Sequence, residues 1–104
     1  MVMKRPTTME DYRELIEETL FDAGELRAAA DFDEDETGES LGFLDPLEDE
    51  LRRLLQALTE DSYRFGGQDL AFMPIVSRLG LTALPFKIQL IQINETHVHG
   101  LEVD

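Results

Sequence analysis

Apolar residues recur across positions 8–30 at intervals of three and four: Tyr12, Leu15, Ile16, Leu20, Ala23, Leu26 and Ala30. That spacing draws one apolar stripe on a helix of about six turns. Thr8 stands where an N-cap belongs, and Glu10 and Asp11 occupy the first turn, where the helix dipole favours acids. Glu14, Glu17, Glu18, Asp22 and Glu25 fall largely on the opposite face. Gly24 weakens this helix by about 1 kcal/mol relative to Ala. A second stripe runs through Leu47, Leu51, Leu54, Leu55 and Leu58. Its start is signalled by Asp45-Pro46-Leu47-Glu48, with Asp at the N-cap, Pro at the first helical position and Glu two residues on. A start near Ser40 is the alternative and would put Pro46 inside the first turns. Arg52 and Arg53 follow Glu48, Asp49 and Glu50 at helical pairing distance.

The pattern then shortens. Thr59 to Gly67 reads as a connection that ends in the breaker Gly66-Gly67. A short helix through Phe72, Ile75, Val76 and Leu79 follows, capped by Asp69 or opened by Pro74, with Gly80 as its stop. The last element begins at Leu84-Pro85-Phe86 and ends at Gly100. Phe86, Ile88 and Leu90 alternate with polar residues as in a strand, whereas Leu84, Ile88, Ile91, Glu95 and Val98 fit a helix. Its length of about 15 residues, with Pro at the start and Gly at the end, favours the helix. The expected fold is therefore all-α, a small bundle of about four helices, with a last strand as the open alternative. Residues 1–7 read as a flexible arm, 8–104 as a single domain and 31–40 as an acidic loop.

Charge changes this picture most. The net charge is −14. Residues 10–61 hold 19 of the 23 acids and only 4 of the 9 bases, so the last 43 residues are almost neutral. Direct nucleic-acid binding is not expected, because it needs clustered Lys and Arg to displace counterions. An anionic membrane surface is disfavoured for the same reason. No apolar run is long enough to span a bilayer, and Lys4 and Arg5 lead into Pro6 rather than a secretory core, so a cytoplasmic setting is expected. The absence of Cys excludes disulfides, Cys-based zinc sites and thiol catalysis.

Candidate chemistry is sparse. Asp33-Glu34-Asp35-Glu36-Thr37-Gly38 copies the opening of a helix–loop–helix calcium site, but position 12 falls on Leu44, where a bidentate Glu belongs. The plain reading is a solvated acidic loop, with loose cation binding by Asp31, Asp33, Asp35 and Glu39 as the alternative. Asp33-x-Asp35-x-Thr37 also echoes the nucleophile motif of haloacid-dehalogenase-type phosphotransferases. That chemistry needs a buried parallel strand, for which the chain has no room. His97 and His99, with Glu95 and Glu102 nearby, would share a metal on a strand; on a helix they point about 200° apart. No phosphate loop or nucleophile elbow is present, so no catalytic residue and no cofactor is expected.

The run Tyr12-Arg13-Glu14-Leu15-Ile16-Glu17-Glu18-Thr19-Leu20-Phe21-Asp22-Ala23, with Leu84-Pro85-Phe86 through Ile93-Asn94-Glu95-Thr96-His97 and then Gly100-Leu101, resembles a family of small acidic hypothetical proteins of proteobacteria. The resemblance covers most of the chain. It implies a bacterial, cytoplasmic protein and brings no catalytic residues. The leading expectation is a non-enzymatic interaction module for a basic protein partner, with Glu14, Glu18, Asp22 and Glu25 as its surface, because a one-sided field steers a basic partner. The near-neutral C-terminal part is a candidate homodimer face. Alternatives are a divalent-cation-binding protein using 31–39 and a nucleic-acid mimic. High negative charge also serves solubility by itself.

Overall fold

The computed structural model describes residues 5–32, 42–81 and 84–102. Four helices follow one another: α1 (Met9–Phe32), α2 (Leu44–Thr59), α3 (Met73–Arg78) and α4 (Lys87–His99). The described residues contain no strand. The architecture is a small all-α bundle. Its last element is a helix rather than a strand: Phe86, Leu90 and Ile93, spaced four and three apart, are buried, whereas Ile88, which strand alternation would put beside Phe86 and Leu90, is 49% exposed. Gly100, at φ 83°, ends it in the left-handed region that glycine enters freely.

α1 packs on α2 and on α4, and α3 packs on α4. The stripe on α1 buries Tyr12, Ile16 and Ala23 completely, with Leu15, Leu20 and Leu26 packed partly against the core. Thr19 interrupts the apolar row but satisfies itself, its hydroxyl donating to the Leu15 carbonyl at 2.7 Å. Leu44, Leu47, Leu51 and Leu54 face the stripe from α2. Thr8 is the N-cap of α1, its Oγ1 accepting the Asp11 N–H at 3.0 Å. Of the expected N-terminal arm, residues 1–4 lie outside the described residues. Arg5 Nε donates to the Gly100 carbonyl at 3.0 Å, and the Pro6 carbonyl accepts the Glu102 N–H at 2.9 Å.

Two expected caps are moved by tertiary contacts. α2 starts at Leu44, with Phe43 at the N-cap and no side-chain cap bond, so Asp45 and Pro46 lie in its first turn. Pro46 removes no helical bond there, because the first amides have no intrahelical acceptor. The core draws in Leu44, and Arg27 of α1 takes the Asp45 carboxylate at 2.8 Å. α3 is shorter than expected and begins at Met73 with Pro74 in its first turn. Asp69 does not cap it. Asp69 Oδ1 accepts instead from Asn94 Nδ2 at 3.0 Å.

α2 ends in a Schellman-type turn: the Ser62 N–H donates to the Ala57 carbonyl at 2.8 Å and the Asp61 N–H to the Leu58 carbonyl at 3.3 Å. Asp61 occupies the left-handed position at φ 60°. A Cβ is disfavoured there, and a carboxylate at a helix C-terminus opposes the dipole. Asp61→Gly is expected to stabilise the fold by about 1 kcal/mol, raising the thermal midpoint by about 4–8 °C. Calorimetry of the two proteins checks this; an unchanged or lower midpoint would contradict it.

Candidate interaction surface

Glu14, Glu18 and Asp22 succeed one another four residues apart on α1, and Glu25 follows three later. At 3.6 residues per turn these four carboxylates make one continuous edge. Glu14, Glu18 and Glu25 are exposed and Asp22 is half-buried. Several acids elsewhere on α1 and α2 have partners. Arg13 lies 3.7 Å from Glu17, Arg52 lies 3.5 Å from Asp49, and Arg27 joins Asp45 and Glu48. Among the described residues, no base pairs with the four edge carboxylates. Like charges at this spacing disfavour the helix by about 0.2–0.5 kcal/mol per pair.

Phe21 lies within this edge and is 66% exposed. On the helix it stands one turn from Glu17, Glu18 and Glu25. An aromatic ring ringed by carboxylates suits a cation, whose charge the ring face and the acids both attract. Sequence reasoning passed over Phe21, yet a signal was there: it falls outside the apolar stripe of α1, so no core position accounts for it. Where the edge meets the start of α4, a groove of about 390 Å³ opens between the helices. Asp22, Glu25, Leu26, Pro85, Phe86 and Gln89 line it.

The candidate cation ligands are placed differently. Asp33, Asp35 and Glu39 lie outside the described residues, and so does the side chain of Asp31, whose backbone belongs to the last turn of α1. His97 and His99 sit on a helix and diverge, so the strand geometry that would let them share a metal is not the one present. His99 Nε2 lies 3.2 Å from Glu95 Oε2 one turn earlier. His97 points inward to an aromatic cluster.

That cluster joins three distant parts of the chain. The Tyr12 and Tyr63 hydroxyls are 2.7 Å apart, and the Tyr63 hydroxyl is 2.6 Å from His97 Nδ1. The Tyr12 hydroxyl also reaches the Ile93 carbonyl at 3.5 Å. With His97 neutral, Tyr12 donates to Tyr63 and Tyr63 donates to Nδ1, which leaves the ring proton on Nε2. Phe65 stacks on Tyr12 and meets Tyr63 edge-on. Burial pushes the Tyr12 hydroxyl far above the usual phenol range. It pushes the Tyr63 hydroxyl up to about 12, against the lowering effect of the bond from Tyr12. Burial lowers the His97 pKa from the ordinary 6.5, with the charge of Glu50 opposing. The network is a structural tie between α1, the 60–72 connection and α4.

Two expectations follow from it. The fold holds His97 neutral, so the unfolded chain binds the extra proton first as pH falls below about 6.5. This part of the stability is therefore present above that pH and lost below it. His97→Asn, which keeps an acceptor near Nδ1, should lose less stability than the parent between pH 7.5 and 5.5, as read from urea midpoints; equal losses would sink the idea. Gly66 approaches the His97 ring so closely that any Cβ would overlap Nε2, and its N–H donates to the His97 carbonyl at 3.2 Å. Gly66→Ala should destabilise by about 1–3 kcal/mol through this overlap and move the His97 ring-proton resonances relative to those of the parent, as NMR of the two proteins would read. An alanine variant of parental stability would show that the ring moves aside freely.

Compared with protein-family models, curated proteins and solved structures, the chain matches none. The functional reading therefore rests on the geometry above.

Proposed function

We propose that this protein is a non-catalytic binding module whose α1 edge receives a basic segment of a partner protein. The observation that supports it is the run Glu14, Glu18, Asp22 and Glu25, four carboxylates in register on one helix with no base against them among the described residues. A partner bearing Lys or Arg relieves their mutual repulsion, so part of the binding energy comes from strain the free protein carries. Phe21 adds an exposed aromatic surface within the same edge. The net charge of −14 supports fast, salt-sensitive association with such a partner.

The test compares the protein with a Glu14→Gln, Glu18→Gln, Asp22→Asn, Glu25→Gln variant as baits in a native lysate. The reading expects proteins that the parent retains at low salt, that salt elutes, and that the variant does not retain. If both baits hold the same proteins, the edge is not the binding surface and the proposal fails.

A further inference from the structure

The groove beside this edge combines two properties that a purely acidic surface lacks. Its rim carries Asp22 and Glu25, and its walls are apolar: Leu26 is half-buried, Pro85 is exposed and Phe86 is 3% exposed beneath them. Gln89 adds an amide whose oxygen accepts hydrogen bonds. The volume of about 390 Å³ lies near the lower end of the roughly 300–1,000 Å³ that ligand pockets occupy, so it suits one long side chain rather than a folded element.

We infer that the groove seats a single arginine side chain of a partner protein, its guanidinium at Asp22 and Glu25 and its aliphatic stem on Leu26, Pro85 and Phe86. This rests on the proposed function and names the residue that the surface selects. Charge complementarity chooses the occupant. A second copy would bring a net charge of −14 to an acidic rim, and the chain's own 31–40 stretch with its six acids has the same wrong sign. Arginine fits better than lysine. Its planar fork offers five donors to two carboxylates and an amide oxygen, and it is weakly hydrated enough to lie against apolar walls. Free arginine adds an α-ammonium and an α-carboxylate, both strongly hydrated, which a blocked peptide lacks, so the apolar walls favour an arginine within a peptide.

The experiment titrates the ¹⁵N-labelled full chain with the blocked pentapeptide Gly-Ala-Arg-Ala-Gly and with versions carrying Lys or Gln in place of Arg. Free arginine is a fourth titrant. The arginine peptide is expected to give saturable amide shifts confined to 22–26 and 85–89. The lysine peptide and free arginine should saturate several-fold more weakly, and the glutamine peptide should not saturate. Asp22→Asn with Glu25→Gln should abolish the saturation while leaving the fold intact, since neither carboxylate has a partner among the described residues. Equal saturation by the lysine peptide, with shifts spread along 14–25, would remove the arginine seat and leave the acidic-edge reading standing. Tighter binding of free arginine would make this a small-molecule site, and localised binding of the glutamine peptide would make it a plain apolar groove. Either outcome, or the absence of localised shifts, overturns the inference.

Discussion

Replacing Arg27 by Met is expected to lower the unfolding free energy by about 2–3 kcal/mol. Arg27 reaches from α1 to α2, where its Nη2 donates to Asp45 Oδ1 at 2.8 Å and to Glu48 Oε1 at 2.6 Å. The two acceptors differ in what they need. Asp45 stays in water with its side chain 76% exposed, whereas the Glu48 side chain is 9% exposed and would keep a buried charge without its counterion. Removing one partner of a buried pair costs about 3–5 kcal/mol. The Arg27 side chain is 39% exposed, so water screens the pair and brings the cost to about 2–3 kcal/mol, at or just below the bottom of that range. The two carboxylates hold the Arg27 pKa above its ordinary value, Glu48 most strongly, which agrees in direction with a pair that stabilises the charged form. Adding Glu48→Leu to Arg27→Met should recover most of the loss, because an apolar pair leaves no orphaned charge. Urea unfolding of both variants checks this. A double variant no more stable than Arg27→Met would show that packing, not the buried charge, carries the effect.

Asn94→Leu is expected to destabilise by a similar amount, about 2–3 kcal/mol. Asn94 is 4% exposed on α4, and its Oδ1 accepts the Leu70 backbone N–H at 2.7 Å. Its Nδ2 donates to Asp69. Leu fills the volume but cannot accept, so the buried Leu70 amide is left without a partner, worth about 1–3 kcal/mol by itself. The exposed Asp69 carboxylate turns to water at little cost. Hydrogen exchange distinguishes this from a simple packing loss. The Leu70 amide should lose its protection beyond what the change in global stability accounts for; unchanged relative protection would mean that another group satisfies it.

The helices were legible because their signal is local. The three-and-four spacing of Tyr12 to Leu26 and of Leu47 to Leu58 writes an apolar face into the chain. For the last element, Pro85 and Gly100 settled what alternation left open. The cap expected at Asp45 of α2 was misplaced, and of the two openings expected for α3 Pro74 holds while Asp69 does not, because both aspartates have better partners elsewhere. Asp45 is claimed by Arg27 and Asp69 by Asn94. No periodicity records such pairings. The same division holds at the surface. The carboxylate edge follows from i, i+4 spacing, whereas the groove exists only because folding sets Leu26 beside Phe86. Asp33, Asp35 and Glu39 of the acidic 31–39 stretch lie outside the described residues.

The hydrogen-bonded cluster of Tyr12, Tyr63 and His97 also bears on how long the native state lasts. Its bonds join residues 34 and 51 positions apart. Contacts of such separation form only after long loops have closed, late on the way to the native state. Interactions made after the rate-limiting barrier do not speed folding; they slow the escape from the folded basin. The cluster is thus expected to act as a kinetic clasp, contributing to the lifetime of the bundle more than to the speed of its assembly.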